Sequence, residues 1–257
     1  MSAGQLRKHD QIRSRYLHNS RAVIVYLPPG YDDQPDRRFP VLYLHDGQNL
    51  FDGRTSYVPG MDWHVGDAAD VSIGSGRAEP MIIVGIYNTG KTRINEYTPT
   101  KVPKLGGGRA DRYGKFLLNE LMPLVESNYR VERGPNHTGI GGSSLGGLVS
   151  LYLGLLMPET FGKIAALSPS VWWNHRVIVR FAHASVPEPR PRIWLDIGTK
   201  EGPRIVDDVE MLRDALVHKG WRLGENLHYQ RVEGAEHNEA AWAQRVRPFL
   251  EFLFPVS

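Results

Sequence analysis

The pentapeptide Gly142-Ser143-Ser144-Leu145-Gly146 follows an apolar segment, His137 to Ile140, and precedes a helical run, Leu148 to Leu156. A G-x-S-x-G sequence in that setting puts a serine at the tip of a tight strand-to-helix turn, where larger flanking side chains would collide with the neighbouring elements. Gly142 and Gly146 meet that need and decide which serine acts. Ser143 has Leu145 two positions on, whereas Ser144 has Gly146, so Ser144 is the nucleophile candidate. A glycine-rich turn can also pack a helix on a sheet without any chemistry. The strand before it and the helix after it favour the catalytic reading.

A serine hydroxyl is a poor nucleophile until a base takes its proton and a carboxylate holds that base in the right tautomer. In the fold that carries this turn, the chain order is serine, acid, histidine. Of the ten histidines, His175, His183, His218, His228 and His237 follow Ser144. His218 belongs to an amphipathic helical pattern and His228 to a strand, and His175 and His183 precede any strand end that could carry the acid. His237, in GAEHNEAAW between a strand and the last helix, is the base candidate. The segment RIWLDIGT ends in Gly198-Thr199-Lys200-Glu201-Gly202, so Glu201 emerges at the same sheet edge and is the chosen acid. Asp196 lies inside that strand, where a buried structural hydrogen bond is expected. Asp207 and Asp208, read as the first turn of the next helix, are reserves whose ordinary role there is with the helix dipole.

A tetrahedral intermediate also needs N–H donors aimed at its oxyanion. Leu145, just after the nucleophile, supplies one; the loop His45-Asp46-Gly47-Gln48 after the strand PVLYL supplies the other, and Gln48 is chosen. The His45-Asp46 pair could suggest a metal site, but no second His or Asp cluster at ligand spacing accompanies it. No metal and no cofactor are expected.

These groups must be held by a frame. Short, nearly unbroken apolar runs recur as PVLYLHDG, MIIVGIYN, HTGIGGSS, KIAALSPS, RIWLDIGT and LHYQRVEG. Runs of that kind suit strands buried on both faces of a parallel sheet. Residues 5 to 30 alternate instead and read as antiparallel strands at an edge. Between the runs, helical spacing predicts a stripe of Leu118, Met122, Val125 and Tyr129, and another of Ile205, Val209, Leu212 and Leu216 stopped by Gly220. A last helix near 239 to 254 turns Trp242, Val246, Phe249 and Leu253 inward, with a kink expected at Pro248. The glycine-rich KLGGGRADR near residue 104 reads as a flexible loop. Alternation of strand and helix predicts an α/β fold, a doubly wound, mostly parallel sheet with antiparallel N-terminal strands, in a single domain over 1–257.

Composition fits that frame. The chain has 257 residues, 41% hydrophobic and 23% charged, which excludes disorder, collagen and coiled coil. A net charge of +3, with its cations scattered, offers no stripe for nucleic acid. The absence of cysteine excludes disulfides and thiolate chemistry. No apolar run approaches a membrane span, and MSAGQLRKHDQIRSRYL has no apolar export region, so a cytoplasmic location is the expectation.

The blocks VYLPPGYD (25–32), VLYLHDGQNLFD (41–52), NEYTP (95–99), FLLNELMPLVESNYRV (116–131), GGSSLGGL (141–148), LSPSVWWN (167–174), DIGTKEG (196–202) and EHNEAAW (236–242) stand in this order. Together they resemble the putative-esterase family of α/β-hydrolases, which includes esterase D, acetyl and feruloyl carbohydrate esterases, enterochelin-type siderophore esterases and mycolyltransferases. The resemblance implies an α/β-hydrolase fold and a serine carboxylic-ester hydrolase working through an acyl-enzyme. It puts the oxyanion donor just after the Asp-Gly pair, at Gln48, and the acid two residues after the Gly-Thr pair, at Glu201. Many relatives have Asp there, and Glu lengthens the reach by one methylene. It also implies that Trp172 and Trp173 line the substrate pocket; as adjacent residues, one of the two is expected to pack in the core. Trp63 and Tyr97 are further aromatic candidates for the pocket wall. Small or aryl acyl esters, sugar-linked esters and siderophore-type lactones are the substrate classes implied, with a small-molecule ester as the partner. An acyltransferase with the same triad, a peptidase of the same fold, or a non-catalytic binding protein on the same scaffold are the rival readings.

Overall fold

The structure is a computed structural model that describes residues 3–185 and 187–256. Eight strands form one sheet: β1 (Gln5–Ser14), β2 (Asn19–Leu27), β3 (Val41–His45), β4 (Ile82–Ile86), β5 (Thr138–Ser143), β6 (Lys163–Leu167), β7 (Arg192–Gly198) and β8 (Leu227–Val232). Across the sheet they run β1, β2, β4, β3, β5, β6, β7, β8. The pairs β1–β2 and β2–β4 are antiparallel, and every pair from β4–β3 onward is parallel. Burial follows from this order. Every residue of β3, β4 and β5 is buried, as near-continuous apolar runs require when helices cover both faces. β1, with LRKHDQ in its sequence, is largely exposed, and its charges guard the open edge against pairing with another chain.

The helices are α1 (Val65–Gly74), α2 (residues 110–128), α3 (Leu145–Leu156), α4 (Trp173–Ala184), α5 (Pro203–His218), α6 (Glu239–Ala243) and α7 (Val246–Leu253). Strand side chains alternate between two apolar layers, as a period of two demands. Val41 and Tyr43 join Phe116, Leu151, Ile178 and Leu212 in the layer under α2, α3, α4 and α5. Leu42 and Leu44 join Ala69, Trp242 and Phe249 in the layer under α1, α6 and α7. Among the described residues, no helix is long and apolar enough to cross a membrane.

Four local expectations are corrected. α2 starts at Ala110 and carries a π-helical turn, Leu117–Leu121. The wider turn rotates the helix surface, so Tyr113, Phe116, Leu117, Leu121 and Val125 are the buried residues while Leu118, Met122 and Tyr129 are only partly covered. The C-terminal helix breaks at Gln244–Arg245 rather than at Pro248. Pro248 falls in the first turn of α7, where a missing N–H leaves no helical bond unmade. The KLGGGRADR segment is ordered rather than a flexible loop: its Gly106–Gly107 pairs with Lys101–Val102 in a small hairpin, and its Ala110 opens α2.

Finally, α5 begins at Pro203, which puts Asp207 and Asp208 beyond its first turn. Asp208 is 2% exposed and is ion-paired with Arg176 of α4. Its role is therefore to join two helices. Asp208→Asn is expected to cost about 1–3 kcal/mol of stability, the worth of a charged hydrogen bond, with turnover unchanged. Urea unfolding beside an ester assay checks both halves; a loss of turnover without a loss of stability would contradict it.

Candidate active site

Ser144 stands between β5 and α3 with φ 58° and ψ −122°, a conformation that costs a residue other than glycine about 1–3 kcal/mol. Its glycine neighbours leave little room for a side chain. A Cβ on Gly142 would lie 3.1 Å from the His45 Cβ, and one on Gly146 would lie 3.3 Å from both His45 Cβ and Asp46 Oδ2. The Ser144 hydroxyl is partly exposed, with its oxygen 3.3 Å from Ser170 Oγ. Ser143 ends β5 and is 4% exposed. The Leu145 N–H is the first amide of α3, which has no acceptor inside the helix.

His237 sits in the turn between β8 and α6, and its Nδ1 lies 2.5 Å from Glu201 Oε2. The imidazole packs edge-on against Trp242, 4.9 Å between ring centres. Glu201 ends the short turn Thr199–Glu201 after β7; its side chain is 2% exposed against 43% for His237. Its other oxygen, Oε1, accepts the Ser168 hydroxyl at 2.6 Å and the Gly198 N–H at 3.0 Å. Burial alone would raise this carboxyl, but the hydrogen bonds from His237, Ser168 and Gly198 outweigh it and hold it below the ordinary glutamate range. Glu201 and His237 are thus brought together, and no hydrogen bond joins Asp207 or Asp208 to His237 among the described residues. Asp196 is fully buried and accepts from Arg245 Nη1 at 2.6 Å, Trp194 Nε1 at 2.7 Å and the Ser168 N–H at 3.1 Å. It is the structural carboxylate expected of its place inside a strand.

The loop after β3 is held by charge. Asp46, at φ 58°, takes a two-pronged bond from Arg93, 2.8 and 2.7 Å, and a third from Asn88 Nδ2 at 2.7 Å. Burial opposes the Asp46 charge, yet Arg93 and Asn88 overcome it and hold the carboxyl below its usual range. Gly47 must be glycine, since a Cβ there would lie 2.5 Å from the Gly85 backbone. Gln48 follows in a one-turn helix, its carbonyl accepting from Thr55 Oγ1 at 2.7 Å and its Oε1 from the Asn88 N–H at 3.2 Å. Beside this loop His45 is buried against Tyr113, 3.0 Å from Nδ1 to the hydroxyl, and burial pushes it down to about 3. Among the described residues, no three His, Asp or Glu side chains gather as metal ligands.

Asp46, Gln48, Ser144, His237 and Trp242 line one cleft of about 470 Å³, with Arg93, Tyr57 and Val58 among its other walls. The four aromatic candidates take other places. Trp63, Tyr97 and Trp173 are each at most 1% exposed and line no part of this cleft. Trp63 packs behind Trp242, 5.8 Å between ring centres, and the Tyr97 hydroxyl accepts from the Asp46 N–H at 3.4 Å, so both support the site from beneath. Trp173 donates to the Thr100 carbonyl at 3.1 Å. Of the tryptophan pair, Trp173 packs in the core as one of the two was expected to, whereas Trp172 is 43% exposed and lies outside this cleft, so neither lines it. The aromatic rings at the cleft are instead Trp242 and Tyr57, the latter 84% exposed. Residue type signalled neither: Trp242 reads as helix core, and Tyr57 lies in a loop without periodicity.

The putative esterase family model matches residues 14–252. The chain is 27% identical to the uncharacterized protein YbbA of Bacillus subtilis over 94% of this chain and 95% of that one. It is 30% identical to the iron(III) salmochelin esterase of Escherichia coli over 78% of this chain but only 47% of that protein. Among solved structures, the BES protein of Bacillus cereus superposes with a TM-score of 0.77 at 21% identity, covering 99% of this chain and 95% of that one. The enterobactin esterase FES of Shigella flexneri does so with a TM-score of 0.77 at 24% identity, over 97% of this chain and 59% of that one. Those likenesses agree with the sheet order described above as an α/β-hydrolase fold. With the family model spanning nearly its whole length, this chain belongs to the putative esterase family and is a carboxylic ester hydrolase.

Proposed function

We propose that this esterase works through a Ser144 acyl-enzyme, with His237 as base and then acid, Glu201 as the carboxylate that orients it, and the Leu145 and Gln48 amides as the oxyanion hole. The observation that carries the reading is the 2.5 Å bond from His237 Nδ1 to a buried glutamate, on the cleft into which the strained Ser144 opens. Glu201 keeps the imidazole proton on Nδ1, so Nε2 is free to accept the Ser144 proton as Oγ attacks the ester carbonyl. The negative charge that forms on the carbonyl oxygen is met by two amides fixed in advance. As the tetrahedral adduct collapses, the ester C–O bond breaks and His237 gives its proton to the leaving alcohol. Water, deprotonated by the same imidazole, then releases the acid and regenerates Ser144.

For the substrate, we infer short or aromatic acyl esters, such as feruloyl, catecholoyl-serine or small acetyl esters. The exposed Tyr57 ring beside Val58 and Trp242 supports a flat acyl or alcohol group, and relatives include a feruloyl esterase and siderophore esterases. An aryl fluorophosphonate is expected to label Ser144 alone, read by peptide mass spectrometry, and labelling elsewhere would overturn the nucleophile. Tyr57→Ala is expected to raise KM for feruloyl and catecholoyl esters about fivefold, the worth of roughly 1 kcal/mol of aromatic stacking, while leaving acetyl esters unchanged. Equal effects on both classes would remove Tyr57 from recognition.

A further inference from the structure

Ser168 follows β6 with φ 43°, in the left-handed region that glycine normally fills, and is 1% exposed. Serine in that conformation carries a cost of about 1 kcal/mol or more, so its hydroxyl must do something a glycine could not. The partners of that hydroxyl say what. Trp242 Nε1 lies 3.2 Å from Ser168 Oγ and Arg245 Nη1 2.9 Å from it. Both groups are donors only. They occupy the two lone pairs of the hydroxyl, which leaves its single hydrogen for the one acceptor at hand, Glu201 Oε1 at 2.6 Å.

From this pattern we infer that Ser168 is a positioning residue for ester hydrolysis: it fixes Glu201 as a carboxylate turned with Oε2 toward His237. The inference rests on the triad proposed above. Glu201 Oε1 already receives the Ser168 O–H and the Gly198 N–H, two donors and no acceptor, so a proton on that oxygen would have nowhere to point. Oε2 is left to accept the Nδ1 hydrogen of His237. The direction of the Ser168 hydroxyl is in turn set by the buried pair of Arg245 with Asp196, whose carboxylate also holds the Ser168 N–H. A chain of fixed donors thus runs from Arg245 and Trp242 through Ser168 and Glu201 to the base.

The test is a double-mutant cycle with Ser168→Gly, which suits the left-handed backbone, and Ser168→Ala as its companion. In the otherwise native enzyme, Ser168→Gly is expected to lower kcat about tenfold, with KM for a p-nitrophenyl ester within twofold. In a Glu201→Ala background, the same substitution is expected to cost less than twofold, because the carboxylate it serves is gone. A purely structural serine would cost the same in both backgrounds, and that result, or unchanged kcat in the native background, would overturn the inference. Should Ser168→Gly fold poorly, Ser168→Ala carries the same comparison, and equal losses in the two backgrounds again count against it. If Glu201→Ala alone retains full activity, the triad reading fails instead, which separates the two ideas.

Discussion

Ser144→Ala is expected to lower kcat for every ester the enzyme cleaves by roughly four to six powers of ten, while the folded protein persists. Without Oγ there is no acyl-enzyme, and what remains is the slow attack of water helped by binding and the oxyanion amides. The fold should hardly notice. Alanine feels the same backbone strain at φ 58° as serine does, and the hydroxyl it loses is partly exposed, with Ser170 Oγ 3.3 Å away. Ser143→Ala removes a buried hydroxyl at the end of β5 and should change kcat by only a few-fold. Steady-state hydrolysis of p-nitrophenyl acetate, with thermal unfolding of each variant, decides between the two serines. An inactive Ser143→Ala beside an active Ser144→Ala would move the nucleophile by one residue and undo the turn assignment.

The contrast between the two serines shows what kind of information local sequence holds. Glycines at fixed offsets reported the steric needs of the turn, and the Cβ clearances at Gly142 and Gly146 bear that reasoning out. Apolar runs likewise reported the buried strands, because burial on both faces acts on every residue of β3, β4 and β5. The aromatic wall was illegible for a related reason. A large ring is equally at home in the core or at a cleft, and only packing sends Trp63, Tyr97 and Trp173 inward while leaving Tyr57 84% exposed. The π turn in α2 hid in the same way, since one helical spacing cannot reveal a local change of pitch. The donors behind the acid were further out of reach: Trp242 and Arg245 meet Ser168 across 74 and 77 positions of chain. Separations of that size are set by the order of strands in the sheet, and no motif window spans them.

Glu201→Gln is expected to lower kcat by about three to four powers of ten, the scale reached when a triad base is held in the wrong tautomer. The surroundings dictate which way the new amide must face. Its carbonyl oxygen is the only end that can accept from both Ser168 and Gly198, so the NH2 group is driven to the position of Oε2, against His237. There it donates to Nδ1, and the neutral imidazole must carry its proton on Nε2, where it can no longer take one from Ser144. Glu201→Ala leaves the imidazole free to choose its tautomer, and should therefore be the faster of the two variants. The pH dependence follows from the same carboxylate. Its value in the fold lies below the ordinary 4.5, so its charge stabilises the fold above that pH, and this contribution is lost as pH falls through the lowered value. Between about pH 5 and 8 Glu201 therefore stays ionised and keeps its hold on His237. Rates for the two variants measured over that interval, with folding followed by circular dichroism, check each step. A Glu201→Gln enzyme within tenfold of the native rate would release Glu201 from the triad, and a Gln variant faster than the Ala variant would show that Ser168 and Gly198 do not fix which way the amide faces.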